Sequence, residues 1–308
     1  MNKCNFLYFI VSLILLTSCG GNSKAPSNTP TSGKTNLIAD ESLALLTDAE
    51  VQVFEGIYQK ASIEVSYKPE SSVIKDFLEN KTNVIIATRE LTADELKVFE
   101  RAKLVPRSTK IASDAITFVS NKENTITSLT IPQLKDILCG KITKWTDIDP
   151  KSTFDEIKLI YDNKNSSTVR YVQHNILDKS TQQIKGFAVD STPKMINYII
   201  DHPDAIGIMG VSWVSDHNDT ISGNFLKEIN VLAIKDSTGS AYQPYQAYVA
   251  QKLYPFCRNV YAICSEPRTG LASGFTNFLA GDKGQRVILK SGLVPSTMPV
   301  RIVGFRDN

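Results

Sequence analysis

Histidine is scarce in this chain: His174, His202 and His217 are the three, far apart in sequence. None has a partner at ligand spacing or a cysteine pair beside it, so a metal site of the zinc type is not expected. No G-x-S-x-G nucleophile elbow occurs. A surplus of one charge is missing as well: 34 basic residues face 32 acidic ones, for a net +2. The charges are dispersed, which argues against a nucleic-acid partner. There is no internal repeat and no run of heptads. The longest apolar run, residues 6–16, is too short to remain as a membrane-spanning helix. What is present is ample core material, 42% hydrophobic over 308 residues, and a length that suggests two domains.

The first residues read as a targeting signal, with Lys3 ahead of the apolar run. The run ends in Leu16-Thr17-Ser18-Cys19, followed by Gly20 and Gly21. This resembles the lipobox of bacterial lipoproteins. The resemblance implies cleavage after residue 18 and lipidation of Cys19; the alternative is an ordinary secretory signal that contains a cysteine. Residues 19–34 are rich in Gly, Ser, Thr, Asn and Pro and read as a flexible tether. Cys4 leaves with the signal. Cys139, Cys257 and Cys264 are read as reduced, buried thiols without a catalytic role, although a bond between Cys257 and Cys264 stays open.

From Thr35 onward, strand and helix patterns alternate. Short strands are expected at 36–39, 62–67 and 84–87. Ser42 is a candidate cap for a helix with Leu46, Val51, Phe54 and Tyr58 on its apolar face. Ser71 or Ser72 would start the next helix, which carries Ile74, Phe77 and Leu78. Thr92 with Glu95, and Thr130 with Gln133, match capping boxes. Gly140 would end the second of those helices. Residues 110–120 form a longer strand, suited to a crossing between domains. Further strands are expected at 157–161, 186–189, 205–214, 231–234 and 260–264, a helix start at Thr192-Pro193, and a final helical stretch at 270–291. The chain thus leaves one domain, builds a second and returns near 245–251. Strict alternation of this kind argues for α/β sheets. Two lobes about a two-crossing hinge enclose a cleft.

The most informative stretch is 162–172, DNKNSSTVRYV. It follows an apolar strand, and Ser166, Ser167 and Thr168 open a helical segment. The free N–H groups and dipole of a first helical turn favour an oxyanion, and hydroxyls can donate further bonds. The same residues also serve many helices as simple N-caps. Asp40 and Glu41 are read as serving a helix N-terminus rather than as paired catalytic acids. Trp145 and Trp213 are read as packing residues, and Arg170 as solvent-facing or paired.

Several segments together resemble the phosphate-binding proteins that feed phosphate ABC transporters, members of the two-lobed periplasmic binding protein superfamily. They are 129–145 (LTIPQLKDILCGKITKW), 205–209 (AIGIM), 284–295 (GQRVILKSGLVP) and the Thr88-Arg89-Glu90-Leu91 turn. The resemblance covers most of the chain after the signal. It implies a type II fold in which each lobe is a mixed sheet flanked by helices. Residues 35–113 and 246–308 would form lobe 1, and 114–245 lobe 2. Carried over residue by residue, the ligand contacts would be Ser42 with the Leu43 backbone, Ser71, Thr88, Arg89, Asp162, Ser166, Ser167 and Thr168. The family pattern S-G-T becomes Ser166-Ser167-Thr168, and aspartate stands at 162 where the family carries its ligand arginine. One reading is a charge exchange: Arg89 supplies the cation, and Asp162 accepts a proton from the ligand, favouring hydrogen phosphate over sulfate. The others are a structural role for both residues, or a different ligand.

The resemblance implies a monomeric extracytoplasmic lipoprotein on the periplasmic side of a bacterial membrane, anchored through Cys19. It would hold phosphate or a similar oxyanion in the interlobe cleft and deliver it to an ABC permease, with no cofactor, metal or catalytic residue. Alternatives are a sensor or capture lipoprotein of the same fold and, more remotely, a secreted hydrolase. The hydrolase would need a nucleophile with a base. His174 lies about two helical turns beyond the serines, too far for a dyad.

Overall fold

A computed structural model describes residues 28–177, 183–216 and 219–300. The signal segment, Cys19 and His217 lie outside the described residues. In chain order the elements are β1 (Ser32–Asp40), a 3-10 turn Glu41–Leu43, α1 (Ala44–Ile57), β2 (Lys60–Lys68), α2 (Glu70–Leu78), β3 (Val84–Ala87), α3 (Ala93–Arg101), β4 (Arg107–Asn121) and β5 (Ser128–Thr130). There follow α4 (Ile131–Leu138), β6 (Lys158–Tyr161), α5 (Ser167–Tyr171), β7 (Phe187–Ala188), α6 (Thr192–Asp201), β8 (Ala205–Gly210), α7 (Thr220–Glu228), β9 (Ile229–Val231), β10 (Ala233–Lys235) and β11 (Ala241–Tyr242). The chain closes with α8 (Gln246–Ala250), β12 (Cys257–Cys264), α9 (Leu271–Ala280), α10 (Asp282–Lys290) and β13 (Val294–Pro295).

The long strand β4 joins the two halves. Its first part, Arg107 to Ala115, pairs antiparallel with β12, and its second part, Ile116 to Ser120, pairs antiparallel with β8. The strand order β2-β1-β3-β12-β4-β8-β6-β7 is therefore two wings of mixed direction sharing one strand. In the first wing β1 runs parallel to β2 and β3. In the second, β6 runs parallel to β7 and β8. Each wing has its own core. Leu37, Phe54, Ile111, Val260 and Phe275 belong to one, and Phe118, Leu138, Trp145, Ile160 and Met209 to the other. Trp145 is fully buried and donates from Nε1 to Asp204 O at 2.9 Å, the packing role expected of it. No helix of the described residues is long and apolar enough to cross a membrane.

Both expected capping boxes form: Thr92 with Glu95 opens α3, and Thr130 with Gln133 opens α4. Other boundaries move. β1 begins at Ser32, inside the segment read as tether, and Asn28 is already fixed: its side chain accepts from Leu271 N at 2.8 Å and donates to Glu266. Backbone pairing with β2 overrides the loop-like composition there. The return crossing also comes later than 246. Val249, Tyr254 and Phe256 sit in the second core, and Phe256 O accepts from Ile116 N, so the chain re-enters the first wing at Cys257. Cys257 and Cys264 stand at opposite ends of β12 and carry free thiols. The length of strand between them separates their Cα atoms by about 20 Å, against a disulfide limit near about 7 Å.

Candidate functional site

The carboxyl ends of β1, β3, β6 and β8 all reach the junction of the two wings, which is where α/β sheets hold ligands. At the end of β1 the N-cap is Asp40, not Ser42. Asp40 Oδ1 accepts from Ser42 N at 2.8 Å, and a 3-10 turn precedes α1. Ser42 is thereby released from capping, and its hydroxyl faces the other wing. At the end of β6, Ser166 caps α5: its hydroxyl accepts from Val169 N and donates to Asp162 Oδ1 at 2.7 Å. That leaves the next hydroxyl, Ser167 Oγ, 3.2 Å from Ser42 Oγ across the junction.

The cation at this point is Arg258, near the start of β12. Its Nη2 donates to Ser42 Oγ and its Nη1 to Ser167 Oγ, both at 2.8 Å. Its Nε donates to Asp114 Oδ2 at 2.7 Å. Asp114 is the direct cross-strand partner of Arg258 on β4, so sheet register itself aims the guanidinium. Both side chains are essentially buried, at 2% and 0% exposure. Gly210, the last residue of β8, makes room: a Cβ there would stand 2.7 Å from Arg258 Nη2. The following segment adds Ser212, whose hydroxyl donates to Ser42 O.

Three buried polar atoms on the segments that carry these side chains have no hydrogen-bond partner: Asp40 Oδ2, Asp114 Oδ1 and Thr168 Oγ1. Burying such atoms is costly unless something satisfies them. Burial, and then the charge of Glu70, push the Asp40 carboxyl up to about 6, against the pull of Arg258 and the Ser42 bonds. Burial also pushes Asp162 up to about 7, opposed by its bonds to Ser166 and Asn163 and reinforced by Asp40 and Glu41. Chemically, the junction offers a guanidinium and hydroxyls to an anion, and carboxylate oxygens that accept a proton from it.

The sequence-derived residues divide into two groups. Ser42 and Ser167 come together at Arg258; the buried Thr168 follows Ser167 in α5, and the buried Leu43 follows Ser42 in its turn. Ser166 and Asp162 bond to each other beneath α5, so Asp162 is an anchor of the loop. The rest lie at the outer edge. Arg89 pairs within its own wing: its Nη1 and Nη2 bond Glu95 at 2.7 and 2.8 Å, Glu95 being drawn there by the capping box, and its Nε lies 4.0 Å from Glu70 Oε2. Thr88 donates through both N–H and hydroxyl to Glu70 Oε1. Ser71 is exposed and donates its backbone N–H to Asn165 O. α2 begins at Glu70 after Pro69, not at Ser71 or Ser72. Ser71, Arg89, Asn165 and Arg170 line a cavity of about 190 Å³ at that edge.

Arg258, Asp114 and Gly210 escaped the sequence reading. The available signal was a charge of each sign, Asp114 and Arg258, placed inside the strands at the two crossings. Trp213, read as packing, is buried as expected. Among the described residues no group of three or more His, Cys, Asp or Glu side chains could hold a metal ion.

The PBP superfamily domain matches residues 24–283. The chain belongs to this superfamily. A curated relative in the superfamily, the phosphate-binding protein PstS of Staphylococcus epidermidis, is 24% identical over 277 residues, covering 88% of this chain and 82% of its own length. The protein of the same name in Staphylococcus aureus is 22% identical over 276 residues, covering 88% and 81%. A Clostridium perfringens structure with bound phosphate, assigned to phosphate ABC transporter substrate-binding proteins, superposes with a TM-score of 0.72. It is 21% identical and covers 86% of this chain and 100% of its own. An ABC-type phosphate transport receptor from Vibrio cholerae gives a TM-score of 0.62 at 16% identity, covering 86% and 100%. At these identities the solved structures establish the fold: a mixed sheet in two wings with flanking helices.

Proposed function

We propose that this chain is an extracytoplasmic solute-binding protein that captures inorganic phosphate between its two lobes and hands it to an ABC permease. The observation that carries the reading is the convergence on Arg258 of one serine from each lobe, beside buried carboxylate and hydroxyl oxygens that lack partners. The names and bound ligand of the relatives support the same ligand class. Arg258 takes the role that the family pattern gives to an arginine at position 162. The cation is thus supplied from the hinge strand.

In this reading the guanidinium and the Ser42, Ser167 and Thr168 hydroxyls hold the phosphate oxygens. Asp40 Oδ2 accepts the ligand's P–OH proton. An ionised carboxylate can only accept, so a fully ionised oxyanion such as sulfate meets repulsion there. Lobe closure requires that the ligand bind the closed form better than the open one. Cys19 would anchor the chain through lipid, and the permease would read the closed form.

Calorimetric titration at pH 8, with phosphate and with sulfate, tests the ligand. The expected result is saturation at one phosphate per chain and no heat from sulfate. Asp40→Asn should lose this discrimination. Sulfate should also begin to bind as pH falls below about 6, where Asp40 acquires a proton and can donate it to the ligand. Equal heats for the two ions at pH 8 would contradict the reading.

A further inference from the structure

We propose that Glu70 and Arg170 form an interlobe latch that holds the cleft shut and sets how slowly the ligand leaves. Arg170 is a positioning residue in this scheme, and the inference rests on the reading that the lobes close about a ligand.

Glu70 is the first residue of α2, between β2 and β3 of the first wing, and Arg170 lies in α5, between β6 and β7 of the second. Arg170 Nε donates to Glu70 Oε2 at 2.5 Å, while Nη2 donates to Thr88 Oγ1 at 2.9 Å and lies 3.3 Å from Glu70 Oε1. The carboxylate is braced from its own side by the Thr88 N–H and hydroxyl. Burial alone would raise the Glu70 pKa, but the Arg170 guanidinium and these bonds hold it below the usual carboxylate range. Arg170 thus reaches a prepared acceptor.

An exposed ion pair contributes little. This one differs because the Glu70 side chain is 3% exposed while that of Arg170 is 31% exposed. One partner is fixed and desolvated, and the other arrives from solvent with the opposite lobe. Two further hydrogen bonds cross between the wings, Ser71 N to Asn165 O and Thr192 N to Glu41 Oε1. When the lobes part, water reaches Glu70 and the bonds are lost. The pair therefore discriminates between the two forms, which is what shifts a two-state equilibrium. Arg170 also lies on the same short helix as Ser167 and Thr168, so latching fixes those hydroxyls against Ser42 and Arg258.

The test compares the full chain with Arg170→Ala and Glu70→Gln, with Arg286→Ala, which removes an exposed partner of Asp282 within one helix, as control. Stopped-flow release of phosphate and small-angle scattering with and without phosphate are the readouts. Unfolding temperature verifies that each variant is folded; if Glu70→Gln is not, Arg170→Ala decides alone. We expect release to be faster by about 5- to 150-fold, the usual span of a coupling between sites. Association should be unchanged, and the radius of gyration of Arg170→Ala should be larger than that of the wild type. Wild-type release would overturn the latch. Slower association with normal release would make Arg170 an entry attractor and overturn it as well. Faster release with wild-type dimensions would make Arg170 a ligand contact, and the latch would again be overturned. Should the wild type bind no phosphate, the ligand assignment fails but scattering still decides the latch. A larger Arg170→Ala particle supports it, and an unchanged one overturns it.

Discussion

Two arginines bridge the lobes, and they do so in opposite environments. Arg258 is sealed at the hinge end, paired with Asp114 across neighbouring strands and touching one serine from each wing. Arg170 is at the outer edge, partly in water, and grips a single carboxylate on the far lobe. The inner arginine has hydroxyls and partnerless oxygens around it and can serve a ligand. The outer arginine is held by protein groups of the far lobe, and in the latch proposal it serves closure. Depth separates the roles because desolvation makes the inner charge costly unless an anion compensates it, while the outer charge is free to rehydrate.

The largest effect should come from Arg258→Ala. It removes the inner cation and leaves Asp114 buried without its partner, a loss of about 3–5 kcal/mol in unfolding free energy for broken buried pairs. Phosphate binding should disappear with it, which titration and chemical denaturation would show together. Gly210→Ala comes next. Its methyl would displace the guanidinium while leaving every charge in place, so affinity should collapse with far less change in stability.

Asp162→Asn sharpens the comparison by changing a buried carboxyl that serves only its own loop. Its pKa is raised to about 7 in the folded chain, so the native state keeps a proton that the unfolded chain releases near about pH 4. Wild-type stability from this group therefore falls as pH rises between about 4 and 7 and stays low above. Asn lacks that penalty and can still accept from Ser166 and Asn163. A tenfold change in proton affinity is worth about 1.4 kcal/mol, so the variant should gain roughly 3–4 kcal/mol over the wild type at pH 8, and nothing at pH 4. Denaturation at the two pH values checks it. Arg89→Ala should do least. It costs α3 a partner for its capping Glu95, about 1 kcal/mol or less, and phosphate affinity should stay at the wild-type value.

The alternation of strands and helices, both capping boxes and the crossing at 110–120 were legible because hydrophobic period and cap chemistry are local signals. That Ser42 and Ser167 stand at strand ends where the wings meet was legible through the same local chemistry, as hydroxyls following buried strands. Arg258 was not. Its place depends on the register of β12 against β4, with Asp114 distant in sequence from it, and no spacing encodes that. Arg89 is the complementary case. It lies beside the cleft in sequence order, but the capping glutamate of the next helix is a nearer partner. Residues 32–34 misled through composition, since a Ser-Gly-Lys segment still forms a strand when a neighbour offers its edge.

The most direct measurement is a pair of phosphate titrations at pH 8, Arg258→Lys beside Arg89→Ala. Lysine keeps the charge but cannot bond Ser42, Ser167 and Asp114 at once, because those contacts use three nitrogens of one planar group. Strong loss of phosphate affinity in Arg258→Lys with wild-type affinity in Arg89→Ala is the result predicted here. Intact binding in Arg258→Lys, or its loss in Arg89→Ala, would contradict the assignment of the inner arginine as the ligand cation.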